Sequence, residues 1–98
     1  MKPHDESVGE RLGALFREVH HRVEAAESAR ISQADMATRL GVSPRAYVDY
    51  IRGKGPTGAR VALDVLAMLD DTDAIAILRR WREGKQIDGR HADGTATR

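Results

Sequence analysis

The apolar residues of this chain recur at helical spacing in several separate segments. In the first segment they stand three or four residues apart, as on one face of an amphipathic α-helix. They are Val8, Leu12, Leu15, Phe16, Val19 and Val23. Because residues 24–30 are rich in helix formers, we predict that this elongated first helix extends to about Glu27.

The centre of the chain has the pattern of two short helices joined by a tight turn. Ser32 is a suitable N-cap, since its hydroxyl can accept a hydrogen bond from a free backbone N–H. Met36, Ala37 and Leu40 form one apolar face. Gly41 should end this helix, because glycine adopts a positive φ without a Cβ clash.

The second short helix begins with a serine N-cap, Ser43, and with Pro44 at the first helical position, where the missing N–H costs nothing. Its apolar face consists of Tyr47, Tyr50 and Ile51. Gly53 should end it. The small Ala37 side chain lets the two helices cross closely, so this pair is predicted to form one packed motif.

Two further helices are predicted beyond the motif. A dense apolar run indicates a helix from Ala59 to Leu69 that is buried on more than one side. The last helix should start with Thr72 or Asp73 as its cap and end at Gly84.

The resulting architecture is an all-α, five-helix domain over residues 8–83, with the two-helix motif at 32–53. Residues 1–7 and 84–98 lack apolar periodicity, so we expect a disordered N-terminus and a flexible tail there.

Composition adds few constraints. Of the 98 residues, 41% are hydrophobic and only 4% aromatic, which suits helices packed on helices in a single domain. The chain has no cysteine and no apolar run that would span a bilayer, so we expect a cytoplasmic location and no membrane partner. No ligand-like cluster of side chains indicates a metal or another cofactor, and no nucleophile–base arrangement indicates an enzyme.

Positive charge is concentrated in the centre of the chain. The net charge is only +1, but residues 31–60 hold five Lys/Arg against two Asp/Glu. This third of the chain also contains the two-helix motif. An exposed short helix that carries arginines has the width to enter the DNA major groove.

The motif resembles the helix-turn-helix of the Cro/cI-like (XRE) transcriptional regulators. The matching positions are Gln33, Met36-Ala37, Leu40-Gly41-Val42-Ser43, Tyr47, Tyr50, Gly53-Lys54 and Pro56. Family members usually carry an aliphatic residue in place of Tyr47 and often a glutamate in place of Ile51. The Tyr50-Ile51 pair is similar to a subset that includes anti-CRISPR-associated and antitoxin-type autoregulators. The resemblance implies a lambda-repressor-like DNA-binding domain that represses by promoter occlusion.

On this interpretation helix 44–52 is the recognition helix. Its candidate base-contacting residues are Pro44, Arg45, Val48 and Asp49. Arg45 could bond bidentately to guanine, although a phosphate contact or a solvated position is the alternative. Asp49 could accept from cytosine or pair with Arg45 at i,i+4. The candidate phosphate-contacting residues are Gln33, Arg39, Ser43, Tyr47, Arg52 and Lys54.

A homodimer is expected, because two copies would read two half-sites of an inverted repeat. Trp81, Ile77 and Leu78 form an apolar stripe on the last helix and are the candidate interface. The alternatives are that this stripe packs on the first helix, or that the first helix forms the interface. The predicted function is sequence-specific binding of double-stranded DNA by a homodimeric repressor. The alternative is a protein-interaction module, in which the motif is structural and the partner is another protein.

Overall fold

A computed structural model describes residues 8–54 and 57–93 of the chain, and the side chains of its last helix as far as Gly84. The predicted disordered segment 1–7 lies outside the described residues. Within the described ranges the chain forms five helices and no strand. They are α1 (Val8–Glu27), α2 (Gln33–Leu40), α3 (Pro44–Ile51), α4 (Ala59–Leu66) and α5 (Asp71–Asp93). The predicted all-α, lambda-repressor-like class with a long first helix is confirmed.

The helix caps and the glycine helix end that were predicted at the centre of the chain are confirmed. The Ser32 hydroxyl accepts from the Asp35 N–H at 3.0 Å, and Gly41 ends α2 with a φ of 74°. The Ser43 hydroxyl accepts from the Ala46 N–H, also at 3.0 Å. Each of these features depends on residues within one helical turn, so sequence alone can predict them.

The helices enclose one small hydrophobic core. α1 packs on α3, α4 and α5, while α2 packs on α3 and α4. The buried apolar residues are Phe16, Val19, Val23, Ile31, Met36, Ala37, Leu40, Tyr47, Val65 and Ile77. α1 thus supports α3 directly, whereas α2 is held by α3 and α4.

Three predictions about the last two helices are wrong. α4 ends at Leu66 rather than Leu69, because the last turn tightens: the N–H groups of Met68 and Leu69 bond to carbonyls three residues back. α4 is also not buried on several sides, since Leu63 is 66% exposed. The cap of α5 is Asp70, whose carboxylate accepts from the Asp73 N–H at 2.8 Å.

The fourth difference concerns the end of α5. Gly84 was expected to stop the helix, but α5 continues through it to Asp93. Glycine inside a helix costs only about 1 kcal/mol relative to alanine, and good helix formers flank this position. A glycine ends a helix reliably where the backbone turns to a positive φ, as at Gly41 and Gly53.

Candidate nucleic-acid interface

The inner face of α3 is anchored by a completely buried tyrosine. Tyr47 has no exposed surface, and its ring meets Phe16 of α1 edge-on, with the ring centroids 6.4 Å apart. Tyr50, one turn on, is partly buried and lies 5.3 Å from the Phe16 ring. Because α1 holds this face, the opposite face of α3 is directed away from the core.

His20 of α1 joins α3 to the start of α2. Its Nε2 lies 2.7 Å from the Ile31 carbonyl, which can only accept, so Nε2 carries the proton. In neutral histidine Nδ1 then accepts from the Tyr47 hydroxyl, 2.8 Å away. Burial, with a smaller effect of Glu24, raises the pKa of Tyr47 to about 12, so this hydroxyl stays protonated and able to donate.

The C-terminal end of α3 lies directly against α1. A Cβ on Gly13 would be 2.8 Å from the Gly53 nitrogen, and one on Gly53 would be 2.6 Å from the Gly9 oxygen. One turn beyond Gly13, the Arg17 guanidinium donates to the Ile51 carbonyl at the end of α3. A cation there is favourable, because the last carbonyls of a helix carry partial negative charge.

The candidate base-contacting residues lie on the outer side of α3. Pro44 and Arg45 are exposed at its start, and Val48 and Asp49 are half-buried further along. Among the described residues Arg45 has no ion-pair partner, so the i,i+4 pair with Asp49 does not form in this structure. Arg45 is therefore available for an external ligand.

Four of the six candidate phosphate-contacting residues surround this face and are exposed: Gln33 is the first residue of α2, Ser43 caps α3, and Arg52 and Lys54 follow α3. The Ser43 oxygen accepts from its own helix, which leaves the hydroxyl hydrogen to donate elsewhere.

The other two candidate phosphate-contacting residues already have partners within the protein. Both amino groups of Arg39 bond to the Glu27 carboxylate, at 2.6 and 3.0 Å. This bond lowers the pKa of Glu27 and raises that of Arg39, so the pair stays charged. The prediction for Tyr47 is wrong, because its hydroxyl lies in the core against His20 and cannot reach a phosphate in this conformation.

The candidate interface on α5 is only partly exposed. Ile77 is 3% exposed and belongs to the core, so the prediction that it contacts a partner is wrong. Trp81 is half-buried, with the Arg11 guanidinium 3.9 Å above its ring. Leu78 remains exposed at 48%, and Ile75, which was not among the predicted interface residues, is exposed at 51%.

Three residues that position α3 were missed from the sequence: Gly13, Arg17 and His20. A signal existed for His20, since it stands four residues after Phe16 and three before Val23, on the apolar stripe of α1. For Gly13 and Arg17 no local pattern indicates a contact, because their partners lie on α3.

In the described part of the chain no group of three or more His, Cys, Asp or Glu residues is placed to hold a metal ion. No described helix combines the length and apolar character needed to cross a bilayer.

Comparison with known proteins agrees with the geometry. The helix-turn-helix family model matches residues 24–70, which include the end of α1, all of α2, α3 and α4, and the turns between them. Searches of curated proteins and of solved structures gave no significant match. Residues 24–70 thus form a helix-turn-helix of the Cro/cI-like (XRE) type, the fold of a DNA-binding regulator.

Proposed function

We propose that the chain is a homodimeric transcriptional repressor that binds double-stranded DNA sequence-specifically. α3 enters the major groove, Arg45 contacts a base edge, and Gln33, Ser43, Arg52 and Lys54 contact phosphates on either side. Two subunits read an inverted repeat whose half-sites are about one helical turn apart. Occupying the promoter would then block transcription.

Three exposed cations on α3 or just after it, without a carboxylate partner in the described part of the chain, carry this proposal. Elsewhere several arginines are neutralised internally: Arg22 binds Glu18 and Asp73, Arg80 binds Glu18, and Arg60 binds Asp64. Among the described residues, Arg45, Arg52 and Lys54 have no carboxylate partner, and all three are exposed on α3 or just after it. Unpaired cations beside a helix of this size suit a polyanionic groove.

The dimer is proposed from the exposed apolar residues of α5. Ile75 and Leu78 stand three residues apart, on one face of the helix, and each is about half exposed. Since Ile77 is in the core and Trp81 lies under Arg11, we place the subunit contact on Ile75 and Leu78. A protein partner on this face is the competing function, because exposed apolar side chains suit either contact.

A selection of bound duplexes from a random DNA pool tests this function, followed by salt-titrated mobility shifts on the selected sequence. We expect an inverted repeat and a complex whose affinity falls steeply with salt. If the protein shifts no DNA at low salt, the helix-turn-helix is structural and the protein-interaction function replaces this one. Binding to every duplex with equal affinity would contradict sequence specificity.

A further inference from the structure

A groove beside α3 is lined by several charged residues that are not among the DNA contacts proposed above. It lies between α1, the connection from α1 to α2, and the start of α2. Its lining includes Arg17 and His21 of α1, Arg30 of the connection, Gln33 at the start of α2 and Ile51 at the end of α3. The groove thus connects the two ends of the motif at which phosphate contacts are proposed.

We propose that this groove binds the DNA backbone and extends the protein–DNA contact beyond the helix-turn-helix, with Arg30 and Arg17 as the phosphate-binding residues. The inference rests on the proposed function. Gln33 and Arg52 lie at opposite ends of the motif, so a strand that touches both runs along the groove mouth. Each strand of B-DNA carries one phosphate for about every 3.4 Å of helix axis. A phosphate next to the one at Gln33 is therefore within reach of the connection.

The charges of the lining fit an anion. Arg30 is exposed and has no ion pair among the described residues. The Arg17 guanidinium binds a neutral carbonyl, so its charge is not cancelled by a carboxylate.

Two carboxylates also line the groove, and one of them is turned inward. The Glu24 side chain is 20% exposed, and its carboxylate accepts from the Ile31 N–H at 2.8 Å. That bond is the main reason that the pKa of Glu24 is lowered. Asp35 is exposed in the first turn of α2 and opposes phosphate binding. The lining therefore carries two arginines and two carboxylates, of which Glu24 is mostly buried and bonded to the Ile31 N–H, whereas Asp35 is exposed.

The test compares two arginines that are both exposed and unpaired. Arg30→Ala removes the proposed contact, and Arg79→Ala removes an arginine of α5 that does not line the groove. Affinity for the selected duplex and for a random duplex is measured by fluorescence anisotropy at several salt concentrations. We expect Arg30→Ala to weaken both complexes several-fold by the same factor and to reduce the salt slope by about 1 per subunit. Arg79→Ala should change neither quantity.

A charge-conserving variant and the thermal unfolding midpoint complete the design. Arg30→Lys should restore most of the slope, and all three variants should unfold at the wild-type midpoint. If the wild type binds its duplex and Arg30→Ala has the wild-type slope, this inference is overturned and the proposed function stands. If the wild type binds no DNA, the proposed function is overturned and this inference with it.

Discussion

At the residue scale, Arg45 is the side chain that we propose to contact a base. It follows Pro44 at the start of α3, is exposed, and has no acidic partner among the described residues. An unpaired guanidinium keeps its fork of donors for guanine O6 and N7. Asp49, one turn on, does not hold it in place, so contact with DNA would have to order this side chain.

We predict that Arg45→Ala reduces binding to the selected duplex by roughly 1–3 kcal/mol and leaves binding to random DNA nearly unchanged. The reason is that a base contact exists only in the specific complex. Arg52→Ala is the matched control, because Arg52 is proposed to contact a phosphate and its loss should weaken both complexes alike. If Arg45→Ala weakens binding to both duplexes equally, Arg45 contacts a phosphate and not a base.

At the same scale, His20 connects three parts of the fold, and its place on the apolar stripe of α1 indicates only that it is partly buried. It is enclosed between Tyr47 and the Ile31 carbonyl, so both ring nitrogens are satisfied. A single side chain thereby links α1, the recognition helix and the approach to α2. This arrangement accounts for the burial of Tyr47, because a buried hydroxyl without a partner costs about 1–3 kcal/mol.

At the scale of elements, α1 determines where α3 lies. Its contacts extend along most of α3, from His20 at Tyr47 to Arg17 at Ile51 and Gly13 at Gly53. The approach at Gly13 is between backbones, so no flexible side chain there can yield to a larger residue. The position of α3 should therefore be sensitive to small changes on α1.

We predict that Gly13→Ala destabilises the fold by about 1–3 kcal/mol, because its methyl group would press on the Gly53 backbone. Gly84→Ala is the matched control: it is also a glycine within a helix, but its added Cβ would lie 3.3 Å from the end of the Arg11 side chain and would not meet backbone atoms. That variant should be neutral or more stable by up to about 1 kcal/mol. Urea unfolding measures both, and equal stability of the two variants would contradict the close contact.

For the whole molecule, the small charge surplus favours the proposed homodimer over a single DNA-binding copy. The third of the chain that contains the motif carries a net charge of only +3, so one copy would contact few phosphates. A dimer would double the number of phosphate contacts, because the second subunit supplies the same residues again. Ile75 and Leu78 are the exposed apolar residues of α5 that we propose to bury between the subunits.

We predict that replacing Ile75 and Leu78 together by glutamate converts the dimer to a monomer and sharply weakens binding to the inverted repeat, because the proposed interface would bury unpaired charges. Leu63→Glu is the control, since Leu63 is also exposed but lies on α4. Light scattering gives the mass of each variant. If Leu63→Glu is a monomer while the α5 variant remains a dimer, the subunit interface lies on α4 and not on α5.

The sequence determines those features of this protein whose causes lie within about one helical turn. The N-caps Ser32 and Ser43 and the positive φ of Gly41 and Gly53 follow from local backbone chemistry, and the apolar period identifies the helices. The all-α fold and the helix-turn-helix could therefore be predicted without coordinates.

Only the tertiary structure shows how each helix is rotated and what it meets. His20 and Tyr47 are 27 residues apart in the chain, and Arg39 takes Glu27 as its partner from another helix. On α5, Ile77 is buried while its neighbour Leu78 is exposed, although both belong to one apolar stripe in the sequence. Spacing defines a stripe about 100° wide, but the packing of neighbouring helices decides which edge of it reaches the core.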